Sequence, residues 1–439
     1  MDRSSKGTAF IQWAEEVPAD WSSVRLRNLL TSVLAGNWGY DPGSSDIDLL
    51  CARIADFDWN RLEIRDENIH TRRSYTHDQA KRFVLESGDL LVEKSGGGEK
   101  HPVGRCVQYQ GEGGPAFANF AMRLRVNESV SSGFLCYSLA ASYYRGHSWK
   151  ILNQTTGIQN LDVSAFRSSP IPLPPRAEQR AIVDFLDAKT AEIDGLVGKL
   201  ERQVELLERY RRELIARTVT RGLDPDVPMK DSGVDWIGSM PRTWSTIPVR
   251  RLFEVVKRVE PGFSDQVLSI TQRGIVPKDL SSHFGQIAES YDSYQRVDVG
   301  DYAMNAMDLL TGWVDRSKYQ GITSPDYRVF RLRPQIGADP RYFTHVLQMG
   351  YTRRIFYRFG QGVSNLGRWR LQPKVFLSMR FPLPPLDEQV AIADHIEGKH
   401  AEIDSTIEGI NRQIELLGKY RKQVINDAVT GKVPVGEVA

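Results

Sequence analysis

The sequence predicts an α+β protein written twice: two globular domains separated by two long helices that form an antiparallel coiled coil, with an internal pseudo-two-fold duplication. Three observations predict it. Residues 171–220, IPLPPRAEQRAIVDFLDAKTAEIDGLVGKLERQVELLERYRRELIARTVT, align without gaps to 381–430 at a constant offset of 210, with 24 of 50 positions identical. A fainter match precedes each copy, Pro18-Ala19-Asp20-Trp21-Ser22 leading to Arg27 and Leu29, and Pro241-Arg242-Thr243-Trp244-Ser245 leading to Arg250 and Leu252, at an offset of 223. Both repeats then carry a heptad apolar pattern, the spacing of a coiled-coil seam. A repeat at fixed period decides the architecture before any local reading does.

The chain divides accordingly. Residues 1–170 form the first globular domain and 171–222 the first long helix, with a linker at 223–239. Residues 240–380 form the second domain, 381–432 the second long helix and 433–439 a C-terminal tail. Between the landmarks the halves diverge, with Gly88-Asp89 matched only loosely to Gly300-Asp301 and Gly157-Ile158-Gln159-Asn160-Leu161 to Gly362-Val363-Ser364-Asn365-Leu366.

In the first domain, Phe83-Val84-Leu85, Leu90-Leu91-Val92, Val103 to Val107 and Phe120 to Val126 read as strands separated by glycine-rich turns, and Ser132 to Tyr144 as a helix. The second domain repeats the order with strands at Gln266 to Ile270, Tyr302-Ala303-Met304 and Tyr327 to Leu332, then a helix from Pro340 to Tyr351. The stretch LDPDVPMKDSGVDWIGSM from Leu223 has the Pro, Gly and Asp content of a linker.

The seam of the first helix is Leu186, Ile193, Leu200, Leu207 and Leu214, and that of the second is Ile396, Ile403, Ile410, Leu417 and Val424. Polar residues interrupt the companion row at matching points, Thr190 with His400 and Arg211 with Arg421, where polar groups fix register. Pro174-Pro175 and Pro384-Pro385 suit a helix entry, Glu178 and Glu388 favour the positive end of the helix dipole, and Gly222 and Gly431 are stops. A helix of about 42 residues spans about 63 Å and acts as a strut. The simplest cover for each seam is the other copy, packed antiparallel; the alternative is a seam that joins two different chains.

Composition sets limits on function. The chain has 439 residues, 41% hydrophobic and 26% charged, ordinary for a protein with real cores. It holds no apolar run near the ~20 residues that cross a bilayer and no apolar secretion core at its start. Cys51, Cys106 and Cys136 lack C-x-x-C spacing, so neither a disulfide framework nor a cysteine zinc site is expected. A cytoplasmic location and no membrane partner follow as expectations. Net charge is +2, but residues 223–380 carry 22 basic against 16 acidic groups while 1–170 carry 19 against 20.

Catalytic signatures fail in turn. There is no G-x-x-x-x-G-K-[ST] phosphate loop. Ser324-Pro325-Asp326-Tyr327 is not the tetrapeptide of amino-group methylation, and Asp89, Glu93 and Lys94 lack the alternation of a metal nuclease. The histidines show no metal spacing. The expectation is a binder with no catalytic residue, no metal and no cofactor of its own.

Arginine interleaved with aromatics supplies the binding signal. Guanidinium forks match phosphates and guanine edges, and aromatics stack. The strongest cluster is Arg341, Arg353, Arg354, Tyr357, Arg358, Arg368, Trp369 and Arg370. The first domain offers Arg61, Arg65, Arg72 and Arg73, then Tyr143, Tyr144, Arg145 and Lys150. These are the candidate DNA-contacting residues.

On the paired P-L-P-P-x-x-E-Q-x-x-I elements at Pro172 to Ile182 and Pro382 to Ile392, the chain resembles the specificity subunit of Type I restriction–modification systems. Each element leads into I-D and E-L-L-x-x-Y-R, at Ile193-Asp194 with Glu205 to Arg211 and at Ile403-Asp404 with Glu415 to Arg421. The Pro-x-x-Trp openings and the linker Met229 to Val234 also fit. The resemblance implies two target-recognition domains held apart by antiparallel helices, each reading one half of a bipartite, asymmetric site in double-stranded DNA. It implies as partners two methyltransferase subunits, which bind S-adenosylmethionine and methylate adenine N6, and restriction subunits that use ATP and Mg. No base-contacting residue carries over, because the recognition domains of the family vary. The competing reading is a non-catalytic scaffold whose coiled coil spaces two protein-binding domains.

Overall fold

The structure, a computed structural model, describes residues 17–155, 158–279, 290–362, 369–433 and 435. The chain forms two compact units, Met1–Leu200 with Asn411–Ala439, and Glu201–Ile410. The helices that organise them are α1 (Ser132–Tyr144), α2 (Arg176–Arg221), α3 (Pro340–Thr352) and α4 (Leu386–Val429). Both α2 and α4 begin in one unit and end in the other.

In the first unit a five-stranded sheet runs in the order Leu30–Ala35, Ala121–Val126, Leu90–Glu93, Cys106–Tyr109, Glu63–Ile64, antiparallel except for the last pair. A second sheet orders Arg72–Tyr75, Ile47–Ala52 and Ala116–Phe117. Helix α1 covers the first sheet and starts at an N-cap, where Ser131 Oγ accepts from Phe134 N at 3.2 Å. The second unit has a four-stranded sheet, Phe253–Val255, Arg328–Leu332, Tyr302–Met304 and Val314–Arg316. Over it α3 buries Tyr342, Phe343, Val346 and Leu347 beside Phe253 and Phe330.

Two expectations are corrected. Phe83-Val84-Leu85 is no strand: His77–Phe83 is a short helix because Thr76 and Gln79 form a reciprocal capping box ahead of it. Residues 223–239 are more than a linker, since Met229–Asp231 pairs with Ser239–Pro241 and Ile237 is buried in the core of the second unit. Trp236 meets Phe381 edge-on at 5.9 Å, so the apolar residues scattered among the turn formers anchor the segment.

The repeated sequence builds the same clasp in each unit. The Pro-Leu strand Pro170–Leu173 pairs with Ser22–Arg25, and Arg380–Leu383 pairs with Ser245–Pro248 in the same antiparallel register. Immediately beyond, the Trp21 indole donates to Glu178 at 3.1 Å, and Trp244 donates to Glu388 at 2.7 Å. The next residue is a buried glutamine. Gln179 Nε2 donates to Pro174 O and Ser129 O, each at 3.0 Å, and its Oε1 accepts from Ser131 N at 2.8 Å. Gln389 does the same with Pro384 O at 2.8 Å and Asp339 N at 2.9 Å. Each Gln therefore ties the start of a long helix to the N-terminus of α1 or α3.

The long helices also end on these tryptophans. Gly431 closes α4 with φ +71°, and a Cβ there would lie 2.4 Å from the Pro18 ring and 3.2 Å from Trp21. Gly222 follows α2 with φ +76°, 3.3 Å from Trp244. Only glycine meets both demands.

Within each unit the helical segments lie antiparallel and share a polar pair. Arg421 Nε is 3.2 Å from Asp194 in the first unit, and Arg211 pairs with Asp404 in the second. Of the expected seam, Leu186, Ile193, Leu214, Ile396, Ile403 and Ile410 are buried, while Leu200, Leu207 and Leu417 are half-buried. The seam shifts at the helix ends. Val424 is half-buried whereas Ile425, Ala428 and Val429 are fully buried, because the last turns leave the helix partner and pack into a domain core. Ile215 and Val219 do likewise in α2.

Two outcomes follow for stability. Gly431→Ala should destabilise by about 1–3 kcal/mol through backbone strain and the contact with Pro18. Gly198→Ala, in open space within α2, should instead stabilise by about 1 kcal/mol. Urea unfolding curves of the two variants check both signs.

His345 is buried on α3, its ring edge-on to His400 at 5.8 Å, and burial pushes its pKa down to about 4, with His400 and Arg341 adding to the effect and Asp339 opposing it. The folded state keeps it neutral, whereas the unfolded chain protonates it below about pH 6.5. Stability is therefore full above that pH and falls on acidification, by about 2 kcal/mol at pH 5. His345→Phe should remove that part of the acid dependence, read from melting curves between pH 7.5 and 5.

Candidate nucleic-acid interface

The structure separates the candidate arginines into those already paired and those displayed. In the first unit Arg65 grips Glu63 with Nε and Nη2 at 3.0 and 3.1 Å, and Arg61 lies 3.9 Å from the same carboxylate. Both flank the edge strand Glu63–Ile64 and face a cleft of about 1060 Å³ against the first turns of α2. Arg176, Arg180, Asp187 and Asp194 line its other side.

Arg72 and Arg73 are consecutive on a strand and so point to opposite faces. Arg72 is exposed, while Arg73 lies over the Trp38 ring at 4.8 Å and pairs with Asp41 at 2.7 Å. Two tyrosines at the end of α1 are committed to packing. The Tyr143 hydroxyl donates to Pro102 O at 3.0 Å, and Tyr144 lies half-buried with Lys422 of α4 over its ring at 5.3 Å. Burial pushes both phenols up. Arg145 and Lys150 are exposed, as is Trp149 between α1 and the following hairpin.

In the second unit Arg341 belongs to the frame. It reaches Asp394 at 2.6 Å, Asp339 at 3.0 Å and Glu397 at 3.0 Å, which joins α3 to α4. Arg353 pairs with Glu213 on α2. Arg354 and Arg358 are exposed on either side of the short helix Ile355–Arg358. Tyr357 packs against Trp369 with ring centroids 4.8 Å apart, and a two-way backbone bridge between Gln361 and Arg370 holds the exposed Arg370 beside them. Gly362 permits this closure, since a Cβ there would sit 3.0 Å from the Trp369 ring. Arg368 and the Val363-Ser364-Asn365-Leu366 motif lie outside the described residues. The cationic group brought together is thus Arg354, Arg358 and Arg370 around a Tyr–Trp pair.

The buried charges serve the fold. Asp89 holds Arg125 at 2.9 Å and Glu93 holds Arg105 at 2.9 Å. Among the described residues no group of three or more His, Cys, Asp or Glu side chains is placed to hold a metal ion, and no helix is long and apolar enough to cross a membrane. Sequence reasoning missed the exposed aromatics Trp38, Tyr40 and Phe120. Their signal was the pair of glycines in Gly36-Asn37-Trp38-Gly39, which marks a sharp, surface-held turn.

Residues 68–206 match the family model of the Type I restriction modification DNA specificity domain. The chain is 22% identical over 379 residues to the MjaVIII specificity subunit of Methanocaldococcus jannaschii, covering 81% of each chain. To the EcoKI specificity subunit of Escherichia coli it is 23% identical over 397 residues, covering 84% of this chain and 82% of that one. Its fold is similar to that of the HsdS subunit of Thermoanaerobacter tengcongensis, with TM-score 0.51, 15% identity and coverage of 95% and 98%. It is also similar to a chain solved in a study of complex assembly and conformational transition of the type I R-M system, with TM-score 0.66, 14% identity and coverage of 95% and 99%. The chain is similar to Type I restriction–modification specificity subunits along most of its length, and residues 68–206 carry the match to the DNA specificity domain. The α+β architecture with its two long helices is shared with these solved chains.

In this chain Arg354 separates structure from binding. It sits at φ +54°, a left-handed conformation that is strained for any residue with a Cβ. Arg354→Gly should stabilise the chain by up to about 1 kcal/mol, and Arg354→Ala should not. If the guanidinium meets phosphate, both variants should flatten the salt dependence of DNA binding by about one unit. Binding titrations at several salt concentrations, run with melting curves, check both outcomes.

Proposed function

We propose that each unit of this specificity subunit reads one half of a bipartite, asymmetric site in double-stranded DNA, and that the paired helices set the spacing between the halves. The observation that carries the reading is the contrast between frame and content. The same strand pairing, Trp–Glu bond, buried glutamine and terminal glycine recur in both units, yet the first frame holds a five-stranded sheet and the second a four-stranded one. A repeated mount with different contents suits a reader of two unrelated half-sequences, as protein symmetry suits a reader of two related ones.

In this reading Arg354, Arg358 and Arg370 with Tyr357 and Trp369 contact DNA in the second unit, and Arg72, Arg145 and Lys150 do so in the first. Two methyltransferase subunits dock on the helices and domains, bring S-adenosylmethionine and methylate adenine N6. Restriction subunits add ATP- and Mg-dependent translocation and cleavage, in the cytoplasm where the DNA lies. The repeat supports a partner present twice: Leu206 and Tyr210 are about half-exposed on α2, and their copies Leu416 and Tyr420 are so on α4.

Exchanging residues 240–380 for the corresponding domain of another specificity subunit, then mapping methylated adenines in host DNA, tests the reading. One half of the methylated sequence should change and the other half and the spacer should stay. An unaltered methylated sequence, or a change in both halves, would overturn it.

A further inference from the structure

Beyond the charged residues, the first unit carries an apolar cleft that the sequence did not announce. Its volume is about 470 Å³, and Trp38, Arg53, Ile54, Ala55, Ala118, Asn119 and Phe120 line it. Trp38 is 38% exposed and Phe120 46%, and the two share one cleft wall, an exposed apolar patch of the kind that meets a partner. Among the described residues no carboxylate lines the cleft, in contrast to the acid-containing cleft beside α2. The one charge on its wall is Arg53, whose guanidinium is oriented by Asp56 at 2.8 Å through Nη2 and 3.3 Å through Nε.

The aromatic lips are held stiffly. Gly36 N donates to Ala121 O at 3.0 Å and Asn37 N to Phe117 O at 2.9 Å, which joins the Trp38 turn to the Phe120 turn. A Cβ at Gly36 would lie 2.2 Å from Ala118 O, so only glycine permits the approach. The Tyr75 hydroxyl donates to Asn37 O at 3.0 Å, and Phe120 O accepts from Lys94 N at 2.8 Å and Ser95 N at 3.2 Å. Ser95 in turn donates to Asn160 Oδ1 at 2.7 Å, and Asn119 puts an amide on the cleft wall itself. Preorganised aromatics lose little entropy on binding, and an apolar wall flanked by a cation and by amides has the chemistry of a nucleobase face, its phosphate and its edge.

We propose that Trp38 and Phe120 pack against bases of the half-site read by the first unit, as a stacking or wedge contact, with Arg53 meeting the adjoining backbone phosphate. This deepens the DNA-reading function proposed above and rests on it. It also accounts for how a domain of nearly balanced charge can take part in recognition: part of its affinity comes from apolar contact, which salt does not screen.

The experiment uses the subunit assembled with its methyltransferase partners and a duplex carrying the methylated site. Trp38→Ala and Phe120→Ala should each weaken binding to that duplex by about 10-fold, with binding to random duplex and the salt slope unchanged. Arg53→Ala should weaken both duplexes and flatten the slope by about one unit. Trp38→Phe should recover part of the loss while keeping a ring under the Arg73 guanidinium, and the melting temperature of Phe120→Ala should stay near wild type because Phe120 is exposed. Undiminished binding by both aromatic variants, with wild type still specific, would overturn the cleft assignment alone. Weakened assembly with the methyltransferase, in place of weakened DNA binding, would overturn it in favour of a protein-docking face. A wild-type complex without sequence-specific binding would overturn the functional reading and this assignment together.

Discussion

Everything in the frame depends on one side chain per unit, the tryptophan that meets the start of one long helix and the end of the other. A buried indole must place its N–H, and a carboxylate in the first helical turn is a strong acceptor already favoured by the helix dipole. Trp21 with Glu178 and Trp244 with Glu388 satisfy both groups at once. Each ring also meets the glycine that ends the other helix, Gly431 on Trp21 and Gly222 close to Trp244. Helix entry, helix exit and domain are thereby fixed to each other in each unit. The polar pair Arg421 with Asp194, and its copy Arg211 with Asp404, then admits one register of the helical segments and penalises the others with an unpaired charge.

That frame explains why local basicity is a poor guide to DNA contact here. Arg341 and Arg353 belong to the strongest basic run in the sequence, yet the fold uses both to tie the second domain to α4 and α2. Arg258 and Arg331 converge on Asp301, and Arg125 is held by Asp89 and Glu86. Each of these pairs neutralises charge that a count along the sequence would credit to the surface. Of the candidate run, Arg354, Arg358 and Arg370 remain exposed, near the Tyr357–Trp369 pair in sequence. In the first unit exposed aromatics, Trp38 and Phe120, stand beside the exposed cations, and a charge count cannot register them.

The architecture was legible because a gap-free repeat and a heptad pattern are one-dimensional signals. Strands such as Leu90–Glu93 and Tyr302–Met304 and the helix Ser132–Tyr144 were legible for the same reason, their apolar runs being bounded by turn residues. Errors arose where two local signals competed. Around Phe83 the apolar run suggested a strand, but the Thr76 and Gln79 capping box upstream carried more weight. In residues 223–239 turn formers masked the anchors Trp236 and Ile237. At the end of α4 the heptad count selected Val424, whereas packing into a domain follows the true helical period and buries Ile425. The interface was the least legible part, because whether an arginine is spent or displayed depends on carboxylates far away in sequence, Asp394 for Arg341 and Glu213 for Arg353.

The duplication also distinguishes what the frame requires from what it tolerates. Between the short domain helix and the long helix the first unit has Tyr137 donating to Asp187 at 2.6 Å, while the second has His345 edge-on to His400. The helix starts diverge as well, with Arg176 and Arg180 in α2 against the exposed Leu386 and Val390 in α4. None of these differences touches the tryptophan clasp or the arginine–aspartate register. A partner that must meet both halves of the frame in the same way has to recognise what they share on their outer faces, and Leu206 with Tyr210 and Leu416 with Tyr420 are shared, apolar and exposed. A ligand that differs between the halves has to be recognised by what they do not share. The exposed Trp38 and Phe120 in one unit, and the arginines around Trp369 in the other, belong to that second class.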